Sequence, residues 1–444
     1  MAPAARKGPS WFVITTAERR GRPGEAAWNG AHEPGMDRYT VAQMTTQPAP
    51  PTRRAPGDFL NDRVRTMPPS GIRRFFDMLA EMKDVISLTI GEPDFTTPEP
   101  ITRAAIASLE AGETHYTANG GMLELRELIA TSLRDRYAVA YDPRTELVIT
   151  VGASEGVDAS LRATTNPGDE VIYHEPCFVA YAPCIQLAGG TAVAVATTSA
   201  TDFRVTASAI EAAITSRTKG IFLGYPNNPT GAALDRHELE AIARVADEHD
   251  LIVYSDEIYD RLVYGEHTHT AFSSLPGMRE RTVLLGGFSK SYAMTGWRIG
   301  YVAAPAELMA GIAKVHQYGI MCAPTAAQFA AIEAVRNGDG FVESMRAEYD
   351  RRRRYMTDRF NEIGLECFEP MGAFYCFPRV SDATGMDEAT FAEKLLTEER
   401  VGVVPGTAFG PSGAGHVRVC YAASQEQIVE AMDRIERFVG RHRT

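Results

Sequence analysis

TVLLGGFSKSYAMTGWRIGY, residues 282–301, begins as an apolar run rich in leucine and β-branched residues and leads directly into Lys290. Such a run is typical of a buried strand in a parallel sheet, and the carboxyl end of such a strand faces the crevice where ligands bind. A single lysine is most often a solvated surface charge. Here it indicates a reactive amine, because a desolvated lysine gives up its proton readily whereas a guanidinium group does not.

Strands of the same kind recur along the chain and alternate with amphipathic helices. They have the sequences ELVITVG, DEVIYHE, TAVAVAT, GIFLGY and LIVYSDE. The alternation predicts an α/β fold in which a mostly parallel sheet is covered by helices on both faces. After about residue 325 the pattern changes to a long charged helix and several short strands, which predicts a smaller α+β domain.

Composition and charge argue against several classes of protein. The formal net charge is −12, so we expect no nucleic-acid partner. No run of about eighteen apolar residues is present, so we expect no membrane span. The six cysteines have no metal-type spacing, which predicts reduced thiols, no metal site and a cytoplasmic location. The run RRRR at 351–354 indicates a solvated or ion-paired helix face rather than a nucleic-acid contact.

The N-terminal part of the chain has a different character. Residues 1–57 are rich in Pro, Gly, Ala, Arg and Thr without sustained periodicity, which predicts a disordered tail. Two of the three tryptophans lie in this tail, so one interpretation is that translation begins at Met36 or Met44. The stretch IRRFFDMLAEMK, residues 72–83, predicts an amphipathic helix.

A second group of polar residues could bind an anion next to Lys290. Arg298 lies eight residues later, at a spacing that could return its guanidinium group to the same pocket and bind a phosphate bidentately. Three hydroxyl groups lie nearby in the sequence, those of Ser289, Ser291 and Thr295. VGASEG, residues 151–156, predicts a strand, a turn and a helix start whose free N–H groups suit an anion. A plain helix cap would explain that turn equally well.

Two other strands also end in polar residues. Asp256 ends the strand LIVYSDE, and Tyr259 follows three residues later. A buried carboxylate at that place needs a cationic partner, since it would otherwise take up a proton. The stretch LGYPNNPTGAAL ends another strand in a turn that exposes Asn227 and Asn228. Turn chemistry alone would also explain these two asparagines.

In combination, these motifs resemble a known family. The chain is similar to the class I aminotransferases of the fold type I pyridoxal phosphate enzymes in FSKSYAMTGWRIGY around Lys290, in SDEIY and in NNPTG. Further similar motifs are GEPDFTTP at 91–98, HYTANGG at 115–121, MGAFYCFP at 371–378 and HVRVCYA at 416–422. They run in family order from about residue 68 to the C terminus. Within the family, the chain is similar to bacterial aromatic and N-acetyl-diaminopimelate aminotransferases.

The resemblance implies a division into domains. We expect a mostly parallel seven-stranded sheet in a large αβα domain, together with a smaller α+β domain. The predicted boundaries are a disordered tail over 1–57, a segment over 58–92 that joins the small domain, a large cofactor-binding domain over 93–325 and a small domain over 326–444.

The resemblance also implies pyridoxal 5′-phosphate as the cofactor, bound to Lys290 through a Schiff base. Once displaced by substrate, Lys290 would move a proton between the substrate α-carbon and the C4′ carbon of the cofactor. Asp256 would pair with the pyridine nitrogen and keep it protonated. Tyr259 and Asn228 would hydrogen-bond the phenolic oxygen, and Phe178 would stack on the ring.

By the same resemblance, the cofactor phosphate would be held by four residues, Gly152, Ala153, Ser154 and Arg298. Many family members have a serine three residues before the lysine. That position is Gly287 here, so one phosphate contact is missing or is replaced by Ser289 or by a backbone N–H. Tyr116 would reach the phosphate of the neighbouring subunit, which implies a homodimer with shared active sites.

For the substrate, the resemblance assigns the α-carboxylate to Arg418, with Asn228 beside it and Gly91 leaving room. An arginine between two valines would otherwise be an outward-facing strand residue. The implied reaction is a ping-pong transfer of an amino group from an L-amino acid to a 2-oxo acid such as 2-oxoglutarate. A hydrophobic pocket for the donor side chain is predicted from four residues, Phe75, Phe76, Tyr318 and Met321. Such a pocket favours a neutral or aromatic donor.

Two alternatives remain open from the sequence. The same residues would bind and activate the cofactor in elimination, decarboxylation or oxidase chemistry, so the motifs do not separate these reactions from transamination. The second alternative is a regulator that senses the cofactor without catalysis. Such a protein would need a fused DNA-binding helix-turn-helix, and residues 1–57 do not contain one.

Overall fold

The computed structural model describes residues 54–68, 82 and 84–443. Most of the predicted tail and, apart from Met82, the predicted helix at 72–83 lie outside the described residues. Phe75 and Phe76 of the predicted hydrophobic pocket lie outside them as well.

Strands and helices alternate through the greater part of the described chain. The strands are β1 (Ile86–Ser87), β2 (Leu147–Thr150), β3 (Glu170–Glu175), β4 (Thr191–Ala196), β5 (Thr218–Gly224), β6 (Ile252–Asp256), β7 (Thr282–Gly287), β8 (Gly300–Ala303), β9 (Tyr375–Cys376), β10 (Val401–Gly402), β11 (Val404–Pro405) and β12 (Val417–Cys420). The helices are α1 (Asp62–Thr66), α2 (Glu99–Glu110), α3 (Leu123–Tyr137), α4 (Gly152–Thr164), α5 (Tyr181–Ala188), α6 (Ala207–Ala212), α7 (Arg236–Glu248), α8 (Ala306–Gly319), α9 (Thr325–Asn337), α10 (Asp339–Ile363), α11 (Ser381–Thr384), α12 (Glu388–Glu399) and α13 (Gln425–His442).

The largest sheet has seven strands in the order β2-β8-β7-β6-β5-β3-β4. Strands β3 to β7 pair in parallel, whereas β8 runs antiparallel to both of its neighbours. The prediction of a mostly parallel seven-stranded sheet is confirmed. Every residue of β2 and β3 is buried, as expected for strands that are covered by helices on both faces.

The topology brings the carboxyl ends of several strands to one edge of this sheet. Asp256 is the last residue of β6, Lys290 follows the end of β7 by three residues, and Asn228 follows the end of β5 by four. Parallel strands bind ligands outside their carboxyl ends, so the strand order places these polar side chains at one crevice.

A second hydrophobic core lies around a small antiparallel sheet of order β11-β12-β9. Met356 and Phe360 of α10 join Leu395 of α12 and Phe438 of α13 in this core. Strand β1 pairs in parallel with β10 and so attaches the segment before residue 92 to the same part of the chain. This part has the α+β character expected from the sequence, and the exact domain boundaries stay a prediction.

Within the described ranges, no helix combines the length and apolar character needed to cross a lipid bilayer.

The arginine run at 351–354 lies within α10, and its ion pairing is confirmed. Arg354 is largely exposed and pairs with Asp350. A solvated face is the wrong description of the two middle arginines, because Arg352 and Arg353 are buried. Arg352 binds Asp94 at 2.9 Å, and Arg353 binds Asp350 at 2.7 Å and Glu369 at 2.6 Å. The run therefore joins α10 to neighbouring segments of the chain.

Arg353→Ala should lower the free energy of unfolding by about 3 kcal/mol, because it removes a buried guanidinium group, its ion pairs with Asp350 and Glu369, and its packing. The matched control is Arg354→Ala. The Arg354 side chain is 62% exposed, so its removal should lower the free energy of unfolding by about 0.5 kcal/mol or less. Chemical denaturation of both variants measures the difference. Equal losses in the two variants would contradict the structural role assigned to Arg353.

Candidate active site

A cavity of about 340 Å³ lies at the edge of the large sheet where the strand ends meet. Most of the residues predicted from the sequence line it. They are Gly91, Ala153, Ser154, Phe178, Asn228, Asp256, Tyr259, Ser289, Lys290, Thr295, Arg298 and Arg418. The cavity therefore gathers residues from five separate strand ends and from both parts of the chain.

Lys290 presents its amine to this cavity. Its Nζ donates a hydrogen bond to the carbonyl oxygen of Gly91 at 2.5 Å. The aromatic rings of Tyr259 and Phe374 lie 5.8 and 5.5 Å from the nitrogen. Burial lowers the pKa of Lys290 to about 8, because desolvation disfavours the charged ammonium. Near neutral pH the amine is thus far easier to deprotonate than an ordinary lysine.

Asp256 lies on the cavity wall at the end of β6. Its carboxylate accepts hydrogen bonds from the Tyr181 hydroxyl at 2.8 Å and from the Ile258 N–H at 3.2 Å. Burial raises the pKa of Asp256 to about 6. The cationic partner expected from the sequence is not found among the described residues, where no ion pair of Asp256 is formed. A cationic group of a ligand in the cavity would fill that role.

One end of the cavity has features that suit an anion. Helix α4 begins at Gly152, directly after β2, and Gly152 has a φ of +72°. A Cβ atom at this position would lie 2.5 Å from a guanidinium nitrogen of Arg298, so only glycine lets the arginine approach the first turn. Ala153 and Ser154 follow in that turn, where backbone N–H groups have no partner within the helix. The helix start and Arg298 together form an anion-binding end of the cavity.

Arg418 of β12 also lines the cavity, and its side chain is buried. It donates hydrogen bonds to the Asn228 side-chain oxygen at 2.9 Å and to the carbonyl oxygen of Thr89. Its guanidinium carbon lies 4.7 Å from the ring centres of both Tyr375 and Phe409. Its Nε is buried and has no hydrogen-bond partner. Arg418 is therefore an inward-facing cation that keeps a donor free.

The two asparagines of the NNPTG turn have different contacts, and only one of them lines the cavity. Asn227 is buried and its Nδ2 donates to the carbonyl oxygen of Pro176 and to the hydroxyl of Thr230, both at 3.0 Å. Turn chemistry accounts for this residue. Asn228 lines the cavity and contacts Arg418 instead.

Several predicted residues lie elsewhere. Tyr116 is 81% exposed and lies on an open surface groove, outside the cavity of its own chain. Tyr318 and Met321 are also exposed and do not line the cavity, so the hydrophobic pocket predicted for them is not formed within the described chain. Ser291 is buried away from the cavity, and its hydroxyl has no partner among the described residues.

Gly287 has little room for a larger side chain. A Cβ atom there would lie 2.9 Å from the Ile258 side chain and 3.3 Å from the Gly300 Cα. A serine at this position would therefore need its neighbours to move. Ser289 lines the cavity two residues later and offers a hydroxyl group in its place.

Sequence reasoning missed two tyrosines of the site. Tyr181 binds Asp256, and Tyr375 packs on Arg418 and hydrogen-bonds the Tyr259 hydroxyl at 3.0 Å. A signal existed for Tyr375, because it lies in the family-like motif MGAFYCFP. Tyr375 also gives a further reason for Gly91, since a Cβ atom there would lie 2.4 Å from its hydroxyl oxygen.

The sequence and the fold of this chain are similar to those of known aminotransferases. The model of the family "Aminotransferase class I and II" matches residues 83–435. An aspartate aminotransferase from Pyrococcus abyssi is 46% identical over 380 residues, covering 85% of this chain and 97% of that protein. Aromatic-amino-acid aminotransferase 2 from Thermococcus litoralis is 43% identical, with the same coverage of both chains. The crystal structure of an aromatic aminotransferase from Pyrococcus horikoshii superposes with a TM-score of 0.79 at 45% identity, covering 83% of this chain and 99% of that one.

The low pKa of Lys290 predicts an unusual pH dependence of its labelling. In the cofactor-free chain, acylation of Lys290 by a small reagent such as acetic anhydride should rise with pH to a midpoint near 8. An ordinary lysine reaches that midpoint at about pH 10.4. Peptide mass spectrometry measures the labelling, with the exposed Lys314 as internal reference for the reagent. A Lys290 midpoint at or above pH 10 would show that the amine is not desolvated.

Proposed function

The chain belongs to the class I and II aminotransferases, and on that basis we propose that it transfers an amino group from a neutral or aromatic L-amino acid to a 2-oxo acid such as 2-oxoglutarate by a ping-pong mechanism. It is an enzyme that depends on pyridoxal 5′-phosphate, as the enzymes of this family do. The observation that carries the proposal is the Lys290 amine, which lies in one cavity with Asp256, Arg298 and Arg418.

The residues present fit the cofactor. Arg298 and the start of α4 suit its phosphate, and the buried carboxylate of Asp256 suits a protonated pyridine nitrogen. The Lys290 amine, with its pKa near 8, suits a covalent link to an aldehyde. When bound, pyridoxal 5′-phosphate withdraws electrons from the substrate and so stabilises negative charge at the α-carbon.

Lys290 and Asp256 would handle the protons. Lys290 would take the proton from the substrate α-carbon and return it at the C4′ position of the cofactor, a task that requires an amine able to lose and regain its proton near physiological pH. Its depressed pKa supports that role. Asp256 would hold a proton on the pyridine nitrogen, and the hydrogen bonds from Tyr181 and Ile258 keep its carboxylate oriented for this.

The other predicted residues would position the cofactor. Tyr259 and Asn228 would donate hydrogen bonds to its phenolic oxygen, and Phe178 would pack on its ring. Its phosphate would be held by Gly152, Ala153, Ser154, Ser289 and Arg298. The cavity lining supports these roles, since it includes every one of these residues except Gly152, whose absent side chain admits Arg298.

Arg418 would bind the α-carboxylate of the substrate. Two rings hold its guanidinium group in place and its Nε lacks a partner, which leaves it ready for a bidentate carboxylate contact. Asn228 anchors the same guanidinium, and Gly91 lines the cavity beside Lys290. Fixing the carboxylate would orient the α-hydrogen toward the Lys290 amine.

We further propose a cytoplasmic homodimer in which Tyr116 of each subunit reaches the cofactor phosphate of the other. The 81% exposure of Tyr116, outside its own cavity, supports this arrangement. Tyr318, Ile320 and Met321 are exposed large side chains from the same region of the chain, and a partner subunit would cover them. All six cysteines are unpaired, which supports a reducing compartment.

The choice of donor class follows from the charges of the cavity. Its arginines among the described residues are Arg298, proposed for the phosphate, and Arg418, proposed for the α-carboxylate. Apart from Lys290, the described residues of this lining include no third cation that could pair with a side-chain carboxylate. Ile90, Val157 and Ile258 contribute apolar surface instead, which favours a neutral or aromatic side chain.

A panel of amino donors against 2-oxoglutarate, then against pyruvate, tests the proposed substrates. Phenylalanine, tyrosine and leucine should each give a kcat/KM at least about tenfold above that of aspartate, because an unpaired side-chain carboxylate in an apolar pocket is penalised. Formation of each 2-oxo acid is the measurement. A preference for aspartate would contradict the proposed donor class while leaving aminotransfer intact.

Arg418→Ala should raise KM for every α-amino acid and lower kcat/KM by at least about a hundredfold, because two charge-assisted hydrogen bonds contribute about 1.5–3 kcal/mol each. Bound cofactor, measured by visible absorption, should stay near one per chain. Arg354→Ala is the control for loss of a surface arginine. A rise in KM confined to one class of donor would mean that Arg418 binds the donor side chain instead of the α-carboxylate.

A further inference from the structure

His316, on α8, is a buried histidine that lies outside the cavity. Its Nδ1 lies 2.6 Å from the Glu155 carboxylate, and its Nε2 lies 2.8 Å from the carbonyl oxygen of Asn119. Both partners are acceptors, so both ring nitrogens must donate, and only the imidazolium form does so. Burial alone would lower the pKa of His316, but the hydrogen bond and charge of Glu155 outweigh it and raise the pKa above its ordinary value.

The partner of His316 holds the turn at the start of α4. Glu155 lies in the first turns of that helix, and its second carboxylate oxygen accepts a hydrogen bond from the Val151 N–H at 2.5 Å. Val151 is the residue directly before Gly152. The carboxylate therefore anchors the backbone that presents the N–H groups of residues 152–154 to the anion-binding end of the cavity.

The other contact of His316 reaches the segment that carries Tyr116. Asn119 accepts from His316 through its carbonyl oxygen and donates from its side chain to the carbonyl oxygen of Met321 at 2.7 Å. The buried Gln328 holds the same segment, since it donates to the Thr117 hydroxyl at 3.0 Å. His316 thus joins α4, α8 and residues 115–121 at a single point.

We propose that His316 is a positioning residue for the cofactor phosphate: its imidazolium holds Glu155 against the Val151 N–H and offsets the Glu155 charge close to the phosphate. This inference rests on the proposed phosphate contacts of residues 152–154 and Arg298. Without the imidazolium, the Glu155 carboxylate, whose side chain is only 12% exposed, would be left uncompensated in the first turns of the helix proposed to bind the anion. The uncompensated Glu155 carboxylate would repel the phosphate and would hold the turn at the start of α4 less firmly.

The test compares pyridoxal 5′-phosphate with pyridoxal, which lacks the phosphate. The full-length chain, freed of cofactor, is titrated with each compound, and the adduct at Lys290 is fixed with borohydride and counted by intact mass. His316→Gln should raise the half-saturating concentration of pyridoxal 5′-phosphate by about tenfold or more, because it leaves a buried charge unpaired. The value for pyridoxal should stay within about twofold, since the Lys290 contacts are unchanged.

Two further variants separate the charge from the anchor. In Glu155→Gln the anion that keeps His316 protonated is absent, so His316 becomes neutral and the local net charge stays near zero. Only the hydrogen bond to the Val151 N–H weakens. The half-saturating concentration of pyridoxal 5′-phosphate should therefore rise by about threefold. Adding Glu155→Gln to His316→Gln should improve binding of pyridoxal 5′-phosphate relative to His316→Gln alone, because no unpaired carboxylate remains. If His316→Gln does not fold, the phosphate-selective loss in Glu155→Gln decides the question.

The matched control is His442→Gln, which removes another histidine paired with a glutamate, Glu398 at 3.0 Å. It should change neither titration. Equal weakening of both compounds in the His316 or Glu155 variants, or no weakening in either, would overturn the inference. Arg298→Ala checks the proposed phosphate contacts themselves. If this variant still binds pyridoxal 5′-phosphate in preference to pyridoxal, the proposed phosphate contacts are wrong. If Arg298→Ala loses that preference and His316→Gln keeps it, only the role of His316 is refuted.

Discussion

Burial of the Lys290 amine without an ion-pair partner among the described residues is the constraint on which the site depends. Its Nζ has a carbonyl oxygen and two aromatic rings as neighbours, so the charged form is poorly compensated and the pKa falls to about 8. The same cavity also has two arginines in its lining, Arg298 and Arg418. A permanently charged group suits the binding of anions, whereas a group that must gain and lose a proton has to be lysine.

The large sheet and the smaller part of the chain contribute in different ways. Parallel strands deliver Asp256, Asn228 and Lys290 to one edge, and the start of α4 lies beside them. Arg418 arrives from β12, far away in the sequence, and its contacts with Asn228 and Thr89 join the two parts. The site is therefore complete only when the large sheet and the smaller part of the chain are both folded.

The sequence predicted the residues whose position follows from local pattern. Lys290 and Asp256 follow apolar strands, so strand order alone places them at one crevice, and the fold class followed from the same alternation. Tyr181 and Tyr375 were missed because their roles depend on contacts with distant segments, which periodicity does not report. The pairing of His316 with Glu155 was missed for the same reason, since 161 residues separate the two side chains. Burial of Arg352 and Arg353 within a charged run likewise depends on the carboxylates that neighbouring segments supply.

The central claim is that this cavity carries out amino transfer rather than another reaction of the same cofactor. Single-turnover mixing of the cofactor-loaded protein with an amino donor, in the absence of any 2-oxo acid, tests it most directly. The account predicts one equivalent of 2-oxo acid per bound cofactor and complete conversion of the cofactor to pyridoxamine phosphate. Release of ammonia or carbon dioxide, with the cofactor returned to its starting form, would contradict it.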